Sequence, residues 1–277
     1  MKSKDILLLI DLAHQPSPAL QVAVDLARQC NAHLTGLALA VDPIVPGFVI
    51  APIPVEMIEA ARDEAMKSAE EAIARFEEYA RRADISRESR VAEVLLGGIP
   101  QSFVAASRLS DLVVIGQDDP DNPEPLRDVL VETALFDGVA PLLIVPYICK
   151  APLKPDRVLI AWDGSRPAAR AVRAALQFLS PSSQVTVLMV GAAGDQPGEP
   201  GADLATWLAR HGLDVSVKSL PAGTISVADT ILNYAADNGF DLVVMGGYGH
   251  SWMREALIGG ATRDILRTMT VPVLMAH

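Results

Sequence analysis

The stretch Asp241–Thr262 reads DLVVMGGYGHSWMREALIGGAT and joins an apolar strand pattern, Leu242 to Met245, to a helical pattern that begins near Ala261. The glycines of this loop are Gly246, Gly247, Gly249, Gly259 and Gly260. Glycine has no Cβ and tolerates positive φ, so such a backbone can wrap closely around a ligand. The unpaired N–H groups at the start of the following helix suit an anion. The stretch therefore indicates a phosphate-binding loop, and the alternative is a strand-to-helix turn whose glycines only relieve crowding.

Composition limits the classes of partner. Of the 277 residues, 50% are hydrophobic and the mean hydropathy is +0.28, yet no apolar run approaches the roughly 18 residues that span a bilayer. The opening segment has an apolar core of only Ile6 to Ile10 before Asp11, which favours a buried first strand over a signal peptide. We therefore expect a cytoplasmic protein with no membrane partner. The net charge of −11 and the lack of a basic run argue against nucleic acid as a partner.

An internal repeat organises the chain. The segment DLVVIG at Asp111–Gly116 returns as DLVVMG at Asp241–Gly246, and the apolar openings and endings of the two copies also correspond. Each copy alternates apolar strands with amphipathic helices, which predicts a mostly parallel sheet covered on both faces. The repeat predicts two domains, 1–148 and 154–277, with an extended linker over Tyr147–Pro155.

The predicted elements follow from the hydrophobic periodicity. Strands are predicted in the first copy near Asp5–Asp11, His33–Val41, Ser89–Leu95, Leu112–Gly116 and Leu142–Val145, and helices over Ser17–Cys30 and Val55–Ala83. The second copy has predicted strands near Arg157–Trp162, Gln184–Val190, Asp214–Ser219, Leu242–Met245 and Val273–Ala276, and helices near Arg166–Leu179, Leu204–His211, Ile225–Asn238 and Thr262–Thr268. The two closing strands are apolar on both faces, so we expect them to pack together about an approximate twofold axis. The Gly/Pro-rich stretch Gly191–Gly201 predicts a mobile loop.

The spacing Gly246-x2-Gly249-x9-Gly259 resembles the nucleotide loop of ATP-binding universal stress proteins, and the whole chain resembles a tandem universal stress protein. The family has Ser or Thr where this chain has Gly260, so one hydroxyl contact to the phosphates is missing. The resemblance implies an α/β fold of two tandem, open, mainly parallel five-stranded sheets with helices on both faces, like the adenine-nucleotide alpha hydrolases. It also implies that the two halves are related by a pseudo-twofold axis and imitate the family's dimer.

The same resemblance implies a set of ligand-binding residues. The adenine and ribose would lie beside Asp163 and Val190. The phosphates would be lined by Met245, Gly246, Gly249, Gly259 and Gly260, with His250, Ser251, Ala261 and Thr262 close by. Asp163 ends a strand and leads into a helix, at the carboxyl edge where α/β folds bind ligands; the alternative is a turn and helix-capping residue. His250 and Arg254 are either phosphate contacts or surface residues without a role.

The first half departs from this pattern. The segment after Gly116 reads QDDPDNPEPLRD and has no Gly-x2-Gly. Its acidic residues would repel a triphosphate; they are Asp118, Asp119, Asp121 and Glu124. The first strand ends in Asp11-Leu12-Ala13 in place of Asp-Gly-Ser. We expect no nucleotide in the first half.

The motifs that mark dedicated catalysts are missing from the sequence. There is no Walker lysine, no G-x-S-x-G elbow and no kinase signature, and the histidines lack metal-ligand spacing, so no metal site is predicted. Cys30 and Cys149 are too few for a disulfide framework.

Three functions remain after these exclusions. The resemblance implies a stress-response protein that binds ATP, with or without Mg²⁺, in its second half. Such a protein would act through its nucleotide state and its protein partners, and it would hydrolyse ATP slowly at most. Its two halves would form an internal pseudo-dimer, and the sequence leaves open whether the chain oligomerises further. The alternatives are a nucleotide-free interaction or scaffold module, and an enzyme of a related α/β fold such as an adenylyl transferase. The missing HxGH-like and SGGxDS-like signatures count against the last of these.

Overall fold

A computed structural model describes residues 3–12, 17–42, 54–94, 101–124, 126–149, 152–191, 201–247 and 261–277. The chain divides into two compact units, Ser3–Ala140 and Pro141–His277. We call them the N-terminal unit and the C-terminal unit.

The N-terminal unit alternates strands and helices in chain order. Its elements are β1 (Asp5–Leu9), α1 (Pro18–Cys30), β2 (His33–Val41), α2 (Val55–Arg82), β3 (Arg87–Val94), α3 (Gln101–Arg108), β4 (Leu112–Gly116) and α4 (Arg127–Phe136). The strands are parallel and lie in the order β3-β2-β1-β4. The carboxyl ends of β1 and β4 therefore lie side by side; Asp11 follows β1 by two residues, and Gly116 ends β4.

Local sequence signals explain where α1 begins and ends. The Oγ of Ser17 accepts the N–H of Leu20 at 3.2 Å, and Pro18 occupies the first turn, where its missing N–H costs no hydrogen bond. The helix ends at Asn31, whose φ of 50° is left-handed and closes the last turn. Leu20, Val24 and Ala27, at spacings of four and three residues, are buried and form the apolar stripe of the helix.

The C-terminal unit repeats the same alternation. Its elements are β5 (Leu142–Val145), β6 (Arg157–Ala161), α5 (Arg166–Ala175), β7 (Gln184–Val190), α6 (Ala202–Ala209), β8 (Asp214–Leu220), α7 (Val227–Asp237), β9 (Leu242–Gly246), α8 (Ala261–Thr268) and β10 (Val273–Ala276). The strands lie in the order β5-β10-β9-β6-β7-β8, and all neighbours are parallel except β5 and β10. The α/β class and the mainly parallel strand arrangement are as predicted.

The predicted pairing of the two closing strands is confirmed. Strand β5 runs antiparallel to β10, with Leu143 opposite Leu274. Both leucines are almost completely buried, as expected for strands that are apolar on both faces. This pairing groups β5 with the C-terminal unit, which begins at Pro141. The domain limits 1–148 and 154–277 stay a prediction.

Two helices of the N-terminal unit were not predicted. They are α3, with eight residues, and α4, which follows a left-handed Leu126 and has no side-chain cap. All of the predicted helices and strands are present, five strands with the predicted bounds and the other elements with shifted ends. The five strands are His33–Val41, Leu112–Gly116, Leu142–Val145, Gln184–Val190 and Val273–Ala276. Residues 192–200 of the predicted mobile loop lie outside the described residues. None of the described helices is both long and apolar enough to cross a bilayer.

Candidate functional site

The ends of β6 and β9 form the edge at which the predicted site residues meet. These neighbouring parallel strands are in register, with Ala161 opposite Met245. Asp163 and Gly247 each follow their strand and therefore lie at the same carboxyl edge. Ligands bind at this edge in open α/β sheets.

Asp163 has the turn geometry that the sequence left as one of two interpretations. Its Oδ1 accepts the N–H of Ser165 at 2.9 Å, while Ser165 caps α5 by accepting the N–H of Ala168 at 3.2 Å. Between them Gly164 has a φ of 74°, which glycine tolerates best. Asp163 is exposed and has no ion pair among the described residues. Its carboxylate can therefore accept hydrogen bonds from a ligand while it holds the turn.

Gly246 has a packing reason to be glycine. A Cβ at this position would lie 2.6 Å from the Ala168 nitrogen and 2.9 Å from the Pro167 Cβ. The missing side chain lets the first turn of α5 pack against the end of β9. Gly246 therefore brings the α5 N-terminus to the site edge, in addition to any contact with a ligand.

The remaining described site residues lie on three elements, β7, β9 and α8. Val190 ends β7, beside β6, and is half-buried. Met245 is buried at the end of β9, and Thr262 is buried in the first turn of α8, which begins at Ala261. Five predicted site residues, Gly249, His250, Ser251, Gly259 and Gly260, lie outside the described residues, as does Arg254. The structure thus gives both ends of the glycine loop, Gly247 and the start of α8.

Two further residues at this edge were missed by the sequence reasoning. The Nδ1 of His277 lies 3.0 Å from the Gly247 carbonyl oxygen, and Arg170 of α5 donates to the His277 carbonyl oxygen. The signal was available, because β10 runs parallel to β9 with Ala276 opposite Gly246. The residue after Ala276 must then fall beside Gly247.

The matching edge of the N-terminal unit is arranged differently. Asp11 forms an ion pair with Arg127, the first residue of α4. The acidic segment folds back on itself, since Asp118 accepts the N–H of Glu124 at 2.8 Å and Asp119 accepts the N–H of Asp121 at 3.0 Å. Within the described residues, no group of three or more His, Cys, Asp or Glu side chains is placed to hold a metal ion.

Comparison with known proteins relates this arrangement to one family. Residues 155–277 match the Universal stress protein family. The universal stress protein Slr1230 of Synechocystis sp. is 33% identical over 126 residues, which cover 43% of this chain and 41% of the relative. This chain thus spans less than half the length of that curated relative.

Solved structures resemble both units. A universal stress protein from Archaeoglobus fulgidus DSM 4304 superposes with a TM-score of 0.70 at 20% identity, over 99% of this chain and 96% of that chain. A functionally unknown protein from Pseudomonas aeruginosa PAO1 gives a TM-score of 0.56 at 19% identity, over 98% and 92%. These likenesses show the fold. The segment that carries Asp163, Gly246 and the glycine loop, residues 155–277, is the part of the chain that matches the Universal stress protein family.

Proposed function

We propose that the C-terminal unit binds an adenine nucleotide, ATP, at the carboxyl edge of β6 and β9. The chain then acts in stress response through its nucleotide state and protein partners, with at most slow hydrolysis. One observation carries the proposal: Asp163, exposed and without an ion pair among the described residues, and Gly247, where the glycine loop begins, follow the ends of neighbouring strands. They do so within the segment that matches the family.

The chemistry of this edge suits a nucleotide. The carboxylate of Asp163 can accept hydrogen bonds from ribose hydroxyls, and the N-terminus of a helix such as α8 is a favourable place for phosphate oxygens. Such a local site allows an anion to bind although the net charge of the protein is −11. Gly260 offers no hydroxyl, so we expect a weaker hold on the phosphates than a serine would give.

The loop is tested by calorimetric titration of ATP into the parent and three variants. Gly249→Val should abolish binding, because a β-branched side chain keeps the backbone away from the phosphates; its effect on folding should stay within about 1–3 kcal/mol of strain. Gly260→Ser should tighten binding, since one hydrogen bond to a charged group contributes at best about 1.5–3 kcal/mol. Gly223→Val is the matched control, since Gly223 is exposed and a Cβ there would meet nothing closer than 4.0 Å.

A nucleotide-free scaffold is the second candidate, and the packing role of Gly246 favours it. That glycine is explained by the approach of α5 without any ligand. If the parent binds no ATP and Gly260→Ser creates no binding, or if Gly249→Val binds as well as the parent, the scaffold function replaces the first. Mass spectrometry of small molecules released from denatured, purified protein provides an independent check.

A further inference from the structure

An internal ion pair closes the carboxyl edge of the N-terminal unit. The guanidinium of Arg127 is 5% exposed and donates to Oδ1 of Asp11, whose side chain is 11% exposed. Beside it, Glu124 accepts the N–H of Leu12 at 2.7 Å, and Arg75 of α2 donates to the Leu12 carbonyl oxygen at 3.0 Å. The turn after β1 is thereby tied to the start of α4 and to α2.

Two backbone features accommodate this ion pair. A Cβ at Gly116, the last residue of β4, would lie 2.9 Å from Oδ2 of Asp11, so only glycine leaves room for the carboxylate. Leu126, directly before Arg127, has a φ of 61°, a conformation that leucine rarely adopts. Strained backbone next to a buried charge indicates that the position of Arg127 is specified by its surroundings.

The two units place corresponding residues at this edge. Asp11 lies two residues beyond β1, as Asp163 lies two residues beyond β6, and Arg127 begins α4 as Ala261 begins α8. The carboxylate that is exposed in the C-terminal unit is covered by a guanidinium in the N-terminal unit. The cavity that remains beside Arg127, Leu39 and Leu130 measures about 10 Å³, which is room for about one water molecule.

Stability alone does not explain the pair. The Nε and Nη1 atoms of Arg127 are buried without a hydrogen-bond partner among the described residues. A buried ion pair whose donors are not all satisfied is often no more stabilising than an apolar pair of the same volume. A role in filling the edge accounts for the guanidinium better than a role in stability.

We infer that the Arg127 side chain takes the place of a ligand in the N-terminal unit and holds its carboxyl edge closed against nucleosides. The inference that the edge is closed is based on the geometry of Asp11 and Arg127. The choice of an adenine nucleoside as the probe rests on the proposed function of the C-terminal unit. Adenosine is the appropriate probe because it is uncharged and the acidic segment 118–124 does not repel it.

The test is hydrogen exchange with mass spectrometry on the full chain, with and without millimolar adenosine. Arg127→Ala empties the space, whereas Arg127→Met removes the charge and keeps the space filled. Arg62→Met is the control, because it removes an exposed Arg–Asp pair, Arg62 with Asp42 at 2.7 Å, from the same unit. In Arg127→Ala, adenosine should slow hydrogen exchange at residues 10–12 and 116–117. In the parent, Arg127→Met and Arg62→Met, adenosine should leave the exchange rates of these residues unchanged.

Removal of Arg127 leaves Asp11 without its counter-charge, which can prevent folding. In that event the double variant Asp11→Asn, Arg127→Ala carries neither charge and is measured with the same expectation. Absence of adenosine protection in the emptied variant, or equal protection in the parent or in Arg127→Met, overturns the inference. Protection of residues 163–165 and 246–247 by ATP is followed in the same experiment, so failure of the proposed function is seen separately.

Discussion

Asp11 and Asp163 occupy corresponding positions after strands β1 and β6, but their carboxylates have different surroundings. Asp11 is covered by Arg127, whereas Asp163 is exposed and accepts the N–H of Ser165 within its turn. The turn accounts for one oxygen of the Asp163 carboxylate and leaves the other for a ligand. The two roles of Asp163 can therefore be separated by substitution.

Asp163→Asn should keep the turn, because an amide oxygen can accept the Ser165 N–H, whereas Asp163→Ala should lose it and cost about 0.5–1.5 kcal/mol of stability. If the carboxylate accepts ligand hydroxyls, both variants should bind ATP more weakly, Asp163→Ala by about 10- to 100-fold. Calorimetric titration measures the binding, and urea unfolding measures the stability. Unchanged ATP affinity in Asp163→Ala would reduce Asp163 to a turn residue.

Gly246→Ala should destabilise the C-terminal unit, because the new methyl group would lie 2.6 Å from the backbone nitrogen of Ala168. That atom belongs to the first turn of α5 and cannot move without displacing the helix, so we expect a loss of about 1–3 kcal/mol. Urea unfolding of Gly246→Ala is compared with Gly223→Ala, which meets no close atom. Equal stability of the two variants would show that α5 does not press on Gly246.

At the scale of elements, most strands were predictable because they are short apolar runs that recur in both copies. The helices α3 and α4 were not, for physical reasons. Helix α3 buries Phe103, Val104 and the polar Ser107, so it shows no buried apolar pair four residues apart, such as Leu204 and Leu208 of the equally short α6. Helix α4 follows a left-handed Leu126 and has no side-chain cap, so the sequence shows no start signal there.

The contact between α2 and β3 provides a pH-dependent link between elements. Glu77 on α2 accepts hydrogen bonds from Ser89 and Arg87 on β3, each at 2.7 Å. The Ser89 hydroxyl, and after it the Arg87 guanidinium, hold the pKa of Glu77 below its ordinary value of 4.5, although burial opposes them. Glu77 therefore stabilises the fold above about pH 4.5, and this contribution is lost as the pH falls through its lower folded pKa.

Ser89→Ala should raise the pKa of Glu77 towards 4.5, as measured by carboxyl NMR titration. The pKa of Glu78 is held down by Arg81 and Arg82, so it should not change in this variant and serves as the internal control. The side chain of Glu77 is 37% exposed, so we expect Glu77→Gln to cost less than about 1 kcal/mol at neutral pH. That difference from the parent should vanish in acid; a difference that persists below the folded pKa would contradict the assignment.

At the scale of the whole chain, the repeat predicted the fold class and the place of the candidate site. The sequence did not predict the ion pair at the carboxyl edge of the N-terminal unit. Asp11 and Arg127 are 116 residues apart, and no local sequence pattern indicates that they pair. The acidic segment had suggested repulsion of phosphate as the reason for excluding a nucleotide. The buried guanidinium of Arg127 adds a second, steric reason if it fills the edge as we infer.

Both reasons lead to a prediction about stoichiometry: the chain should bind at most one ATP. The C-terminal unit has the exposed Asp163 and the glycine loop, whereas the N-terminal unit has a covered Asp11 and a cavity of about 10 Å³. A triphosphate would also approach the carboxylates of Asp118, Asp119 and Asp121, whose repulsion is strongest at low ionic strength. Calorimetric titration at low and at physiological salt measures the number of sites directly. Physiological salt screens the charges of the acidic segment but leaves Arg127 in place, so the number of ATP sites should stay at one. A second equivalent site at either salt concentration would show that the carboxyl edge of the N-terminal unit is open.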